Sequence, residues 1–271
     1  MKYKKKDCPY FEENCPGGLN ASEEELTCGC PKFKAYIDAK DPAIIKQELE
    51  KMNIHAIEKM DIMLSMQKQF ANRFHKVEGL SKEEVDHWTN EYLVCIEDEI
   101  IEAEEFLDIY PEKIKEFNVI EYRKELIDVL HFIMDGMIVA GMQYSDIKKY
   151  YGEYLEKDIS NEDLLDEMMD KEWLEVNKIE FNKRNLYILN YLLRDIRLVR
   201  QCISWKFWKK KNDEIEYEKM YKAYVNMLRH LAQAFIATGM TANEVYEVYV
   251  HKNIENVLRQ QYGYLTGKSE K

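Results

Sequence analysis

The feature that most constrains this chain is a repeat. The pair Gly141-Met142 returns as Gly239-Met240, 98 residues later. Each pair closes a long apolar stretch of helical spacing. Each is followed by a polar start, Gln143-Tyr144-Ser145-Asp146 in one case and Thr241-Ala242-Asn243-Glu244 in the other, and Tyr151 then matches Tyr249. Glycine after an apolar helical run reads as a helix C-cap, because the left-handed conformation needed there carries no side-chain penalty for it. Residues 91–155 and 189–253 therefore read as two copies of one helical unit, with little other identity between them. Strand-type alternation is rare, and 10 Gly and 5 Pro in 271 residues leave few breaks. The expectation is an all-α protein with a four-helix-bundle-like core built from two degenerate helical repeats.

The first residues stand apart. Residues 1–40 form a Cys-rich N-terminal segment, 41–180 the first helical half and 181–271 the second. Asp41-Pro42 has the form of a capped helix start. A helix is expected from about Ile54 towards Phe74. Ser81 with Glu84 reads as a capping box opening a segment that reaches Asp108 with a break, before Pro111. A further helix is expected from Asn118 to Gly141. Cys8, Cys15, Cys28 and Cys30 lie among Pro and Gly, and four thiolates can close a tetrahedral structural Zn²⁺ site. Their spacing is not a common finger spacing, so an iron–sulfur cluster and free or disulfide-bonded thiols stay open. Cys95 and Cys202 fall in apolar helical patterns and read as core residues.

With 46% hydrophobic and 33% charged residues, the chain has the composition of a folded globule. A net charge of −12 disfavours nucleic acid polymers as partners. No apolar run reaches the ~20 residues of a membrane span, and no apolar region follows the basic Met1–Lys6. A cytoplasmic location with reduced thiols is expected.

Two acid pairs carry the chemistry. Glu99 and Glu102 are three residues apart, as are Glu125 and Asp128, so each pair shares one helix face. Four facing carboxylates would form an oxygen cage for hard divalent ions, which can hold a triphosphate and activate a water. Spacing alone favours a solvated acidic face, since ExxE and ExxD pairs arise easily in so acidic a chain and Glu97, Asp98, Glu104 and Glu105 lie alongside. Two observations favour the cage. Glu125 and Asp128 sit in the apolar run towards Val139, where uncompensated charge is costly. The matching positions of the second copy, Arg197, Arg200, Ala223 and Asn226, hold no acid. His131, one turn past the second pair, is a candidate to hydrogen-bond a metal-bound carboxylate, or a packed core histidine.

The second copy carries basic runs instead. Lys252, Asn256 and Arg259 fall near one helical face, and Trp205-Lys206-Phe207-Trp208-Lys209 is a basic aromatic run. Either suits phosphate oxygens, and either is also compatible with an ordinary solvated or partner-binding surface.

Together these motifs resemble the dimeric dUTPase family of the all-α NTP pyrophosphatase superfamily, which includes MazG-type and phage dCTP/dUTP enzymes. The resemblance rests on Glu99-Ile-Ile-Glu102, on Glu125-Leu-Ile-Asp128 with His131-Phe132, and on Lys252-Asn253-Ile-Glu-Asn256-Val-Leu-Arg259-Gln260-Gln-Tyr-Gly263-Tyr264. It implies two or three Mg²⁺ ions on the four acids and Glu99 as the water-orienting base. It also implies phosphate and sugar contacts from Lys252, Asn253, Asn256, Arg259 and Tyr264, a base contact from Gln67, and a homodimer. The departures are informative. Phe70-Ala71-Asn72 stands where the family has Leu-Asn, which puts uracil specificity in doubt and leaves cytosine or a modified pyrimidine open. The Trp205, Lys206 and Lys209 run lies in the second copy rather than between the acid pairs, which implies a composite site with acids from one copy and basic groups from the other. The expected activity is Mg²⁺-dependent hydrolysis of dUTP, or secondly dCTP, to the monophosphate and pyrophosphate. A nucleotide sensor without turnover, or an interaction protein using the Trp205–Lys211 surface, is the alternative.

Overall fold

The computed structural model describes residues 31–107, 118–176, 181–206 and 214–262. Among these residues there is no strand. The helices are α1 (Pro31–Asp38), α2 (Pro42–Met52), α3 (Lys59–Ala71), α4 (Lys82–Glu105), α5 (Val119–Val139), α6 (Tyr144–Leu155), α7 (Leu164–Val176), α8 (Phe181–Cys202), α9 (Tyr217–Ala237) and α10 (Ala242–Gln261). The chain divides into two compact units. One is His55–Val248, and the other joins the residues up to Ile54 with those from Tyr249 onward.

Local chemistry sets most helix starts. The Asp41 side chain accepts from the Ala43 N–H at 2.9 Å, ahead of α2. Ser81 and Glu84 form the reciprocal capping box at α4, with the Ser81 N–H donating to the Glu84 carboxylate at 2.7 Å. Asn118 caps α5 by accepting from the Ile120 and Glu121 N–H groups at 3.1 and 3.3 Å. Two expectations need correcting. α4 runs unbroken to Glu105. The helix expected from Ile54 begins only at Lys59, because Glu58 is committed elsewhere. Its two carboxylate oxygens each accept from Lys148 Nζ at 2.9 Å, and Tyr144 donates to it as well. Ile57, left outside the helix, is 92% exposed.

In the larger unit the α4–α5 hairpin packs on the α8–α9 hairpin, α4 against α8 and α5 against α9. Leu93, Ile96 and Ile100 of α4, Leu126, Ile133 and Met137 of α5, and Met220, Met227 and Ala234 of α9 are fully buried between them. Each large apolar side chain so buried contributes ~1.5–3 kcal/mol. α3 packs on α5 as α7 packs on α9. α3 and α7 are both 13 residues long, and their starts, Lys59 and Leu164, are 105 residues apart.

The repeat is therefore structural. Met142 N–H donates to Met137 O at 3.0 Å and Gly141 N–H to Ile138 O at 2.9 Å; Met240 to Phe235 and Gly239 to Ile236 reproduce these bonds at the same distances. The two glycines have φ of 76° and 79°. The long-range contacts repeat too. Tyr221 OH donates to Ala140 O at 2.9 Å, and Arg123 Nη2 donates to Thr238 O. Arg123 and Tyr221 are matched positions, as are Ala140 and Thr238, so α5 and α9 run antiparallel and exchange equivalent bonds. A Cβ at Gly141 would meet only Tyr221 Oη at 3.7 Å. Gly141→Ala should thus cost only backbone strain, about 1–2 kcal/mol. Urea unfolding should show a lower midpoint with an unchanged m-value.

Candidate active site

The antiparallel α4–α5 hairpin carries the acids where α4 ends and α5 begins. Glu99, Glu102 and Glu125 each offer an oxygen, all within 4.8 Å of one another, with Glu102 exposed and the other two half-buried. Their floor is apolar: Ile96, Ile100 and Leu126 are fully buried. Asp128 stands one turn deeper along α5, outside that group of three and half-buried. One Asp128 oxygen lies 3.8 Å from His131 Nδ1. His131 is 4% exposed, and its Nδ1 meets Ile127 O at 2.8 Å. Carboxylates this close repel one another. A divalent cation removes that cost. An all-oxygen set suits Mg²⁺ or Mn²⁺ rather than a thiophilic metal, so the residues fit the ion that the resemblance implies.

Beyond the acids the α4–α5 seam becomes aromatic. Tyr92 and Phe132 have ring centroids 6.4 Å apart. His75 stacks on Trp88 at 3.7 Å with an interplanar angle of 6°, and its Nε2 meets Tyr92 OH at 2.6 Å. Gln67, on α3, is 1% exposed, and its Nε2 donates to Asp135 Oδ2 at 2.9 Å. Asp135 lies two turns past Asp128 on the same face of α5, roughly 10 Å along the helix. Burial pushes its carboxyl up to about 8, against a smaller lowering by the Gln67 hydrogen bond. Burial first, and then Asp135, raise the Tyr92 hydroxyl.

Cys95 corrects an expectation. It is half-buried rather than in the core, and its thiol is pushed up by burial and then by Asp98, Glu99, Asp135 and Glu91. Cys202 is fully buried as expected. Asp135 was missed at the level of sequence. The available signal was an acid seven residues after Asp128 inside the apolar run.

Arg200 pairs with Glu97 through both guanidinium nitrogens, at 2.5 and 2.7 Å, and lies 5.7 Å from the Trp205 ring, over which Lys206 sits at 5.0 Å. The Ser204 N–H donates to Asp86 at 3.1 Å. That anchor is about 20 Å along α4 from Glu99. In the smaller unit, Asn253 is fully buried, Lys252 is half-buried, and Arg259 is held by Glu255 and by Asn256 Oδ1 at 3.4 Å. Lys209, Tyr264 and the four N-terminal cysteines, Cys8, Cys15, Cys28 and Cys30, lie outside the described residues. A separate cavity of about 720 Å³ opens at the far end of α5, lined among others by Asp61, Lys68, Gly141 and Tyr144, and none of the four acids lines it. Among the described residues no helix is long and apolar enough to cross a membrane.

A dCTP pyrophosphatase of Enterobacteria phage LZ5 is 32% identical over 71 residues, spanning 22% of this chain and 41% of the relative. The chain thus matches less than half the length of that relative. No solved structure matches significantly. Residues 59–264 match the dUTPase family, a span that takes in both acid pairs, the aromatic seam and α10. By that match the chain belongs to the dUTPase family.

Proposed function

We propose that this protein is a nucleoside triphosphate pyrophosphatase, hydrolysing a pyrimidine deoxynucleoside triphosphate, dUTP first and dCTP second, to the monophosphate and pyrophosphate. The observation that carries the reading is the convergence of Glu99, Glu102 and Glu125 at the open end of an aromatic-lined seam. Glu99, Glu102, Glu125 and Asp128 would hold Mg²⁺, which when bound supplies charge neutralisation for the triphosphate and lowers the pKa of a water. Glu99, half-buried beside its neighbours, takes the proton of the attacking water. The water oxygen bonds to phosphorus, the link between the α and β phosphates breaks, and pyrophosphate leaves with the electron pair. Phe132 and Tyr92 offer faces to a base, and Gln67 a carboxamide to its edge.

Lys252, Asn253, Asn256, Arg259 and Tyr264 are the proposed phosphate and sugar contacts. Trp205, Lys206 and Lys209 are the proposed second basic element, contributed from the second half or from a partner copy. The comparison with the phage dCTP pyrophosphatase supports a pyrimidine triphosphate and leaves cytosine in contention.

The test is a panel of dNTPs with Mg²⁺ or Mn²⁺, reading pyrophosphate release. Turnover of dUTP or dCTP above the purine nucleotides supports the reading. No turnover of any dNTP overturns it, and thermal stabilisation by a nucleotide without turnover would mark a sensor. Separately, the N-terminal Cys8, Cys15, Cys28 and Cys30 are proposed to hold one structural Zn²⁺. Elemental analysis of anaerobically purified protein should return one zinc per chain, and iron with sulfide would replace that proposal by a cluster.

A further inference from the structure

The repeat leaves two cavities at matched places. One, of about 720 Å³, lies between α3, the Gly141 turn and the start of α6, with Tyr217 and Tyr221 of α9 among its lining. The other, of about 470 Å³, lies between α7, the Gly239 turn and the start of α10. Asp61 and Leu64 of the first match Asp166 and Met169 of the second at the 105-residue offset of α3 and α7, and Gly141 and Met142 match Gly239 and Met240. Each cavity thus carries one aspartate at the same place in the repeat, and the two differ in how it is compensated. Lys59 Nζ donates to Asp166 Oδ2 at 2.7 Å and lies 3.7 Å from Asp163. The reciprocal partner of Asp61 would come from position 164, the match of Lys59 at the start of α7. That residue is Leu164, fully buried. Among the described residues Asp61 makes no hydrogen bond and no ion pair. Lys148 is within electrostatic reach, but its Nζ is committed to both Glu58 oxygens and to the Ser160 and Glu162 carbonyls, at 2.7–2.9 Å.

We propose that the larger cavity is a second ligand site, which takes a small organic ammonium compound: its cationic end meets the Asp61 carboxylate, and its apolar body lies against the Tyr217 and Tyr221 rings. Val77, Val85 and Met142, all buried, supply an apolar floor. A cavity of this volume is in the range that holds a molecule of one or two rings. The site is separate from the four acids. Ile138, on its wall, stands about 15 Å along α5 from Asp128. The inference therefore goes beyond the hydrolase reading and does not depend on it. In the second half the chain supplies its own ammonium, Lys59, to the matched carboxylate. In the first half it supplies none, and the cavity beside the carboxylate is larger.

The charge of the ligand follows from what is already paired. Lys68 and Glu78 neutralise each other. Lys76 Nζ donates to the Gly79 carbonyl at 3.1 Å. Asp146 accepts from the Gln143 N–H at 2.8 Å, so a carboxylate already caps the positive end of α6. The charge left over is that of Asp61. Burial first, and then Glu58, hold its carboxyl above the usual range, while Lys148 acts the other way. A cation delivered there offsets that cost. The tyrosines add to the preference, because an ammonium is drawn to the face of an aromatic ring. The protein makes the same contact beside the cavity. Lys149 lies 4.7 Å and Lys222 5.6 Å from the centre of the Tyr150 ring, which is itself 6.1 Å from that of Tyr221. Tyr221 is fixed in advance, since its hydroxyl donates to Ala140 O at 2.9 Å and its ring meets Tyr217 edge to face at 6.1 Å. A ligand then finds the rings already in place.

The experiment titrates the full chain at neutral pH with three compounds of nearly one shape, phenethylamine, phenethyl alcohol and phenylacetate, and reads binding by ligand-observed NMR. Phenethylamine should bind saturably and about 10-fold more tightly than the alcohol, and phenylacetate should not bind. Asp61→Asn should bring the amine down to the level of the alcohol. Asp166→Asn, the matched change in the second half, should leave amine binding as it is. Ser65→Phe, which places a ring in the cavity, should abolish binding of amine and alcohol alike, with thermal melts confirming that each variant is folded. Tyr217, 41% exposed, gives a variant with little bearing on folding, and Tyr217→Leu should weaken the amine by about 3-fold. Absence of saturable amine binding, equal binding of amine and alcohol, or an amine affinity that Asp61→Asn does not change overturns the inference. None of these outcomes bears on turnover at the acid cluster.

Discussion

Glu99→Gln should reduce kcat for the preferred nucleotide by about 10³-fold or more, while the metal-free protein melts no lower than the wild type. General-base removal alone is worth ~10²–10⁴-fold, and loss of one charged oxygen from a metal site adds to it. The stability half of the expectation follows from the geometry. Glu99, Glu102 and Glu125 have oxygens within 4.8 Å of one another, so without a cation each repels the others. Making one neutral relieves that repulsion, and the substitution changes shape hardly at all. The check pairs single-turnover kinetics with thermal melts in EDTA and in Mg²⁺. In the wild type Mg²⁺ should raise Tm by mass action, and in Glu99→Gln it should do so less. A variant that keeps wild-type kcat would remove Glu99 from the site.

Arg229→Met should be among the most destabilising single changes in the larger unit. Glu172 is 1% exposed, with one oxygen on Arg229 Nε at 2.8 Å and the other on Gln233 Nε2 at 2.7 Å. Arg229 also lies over the Tyr154 ring at 3.3 Å and donates to Asn226 Oδ1 at 3.1 Å. Removing one member of a buried pair strands the other charge, at about 3–5 kcal/mol. For a protein of this size that lowers Tm by roughly 10 °C. The double variant Arg229→Met with Glu172→Gln should recover part of the loss, because nothing charged is then left buried. Chemical denaturation of the four members of this cycle gives the coupling directly. Asn226 and Arg229 match Asp128 and His131, so the cycle also measures what the second half builds at those positions.

The composite-site proposal, acids from one half and basic groups from the other, gains a physical motive from these pairs. In the second half Arg200 stands at the match of Glu102, and it is bound bidentately to Glu97. An arginine there cannot serve a metal, and its pairing across to α4 ties the two hairpins together instead. Arg197, the match of Glu99, is exposed. Where the first copy places acids, the matched positions of the second copy place one arginine paired across to α4 and one exposed arginine.

What the sequence determined was mostly local. The caps at Asp41, Ser81 and Asn118, the glycine ends at Gly141 and Gly239, and the i, i+3 acid pairs involve groups within a turn or so of one another, so helix geometry alone brings them together. The repeat was legible for the same reason, as a local signal occurring twice. The tertiary structure decided which side chains meet between helices, because that depends on the register of one helix against another. It placed Glu125 among Glu99 and Glu102, with Asp128 a turn deeper. It delayed the start of α3 by committing Glu58 to Lys148 and Tyr144. It brought Cys95 to the edge of the seam, and it set Gln67 against a buried acid that no spacing rule singled out. The spacing of the four acids put each pair on one helix face, and the apolar run and the acid-free second copy singled them out. Asp135 owes its raised carboxyl to burial, which no spacing rule reveals, with the Gln67 amide donating to one of its oxygens.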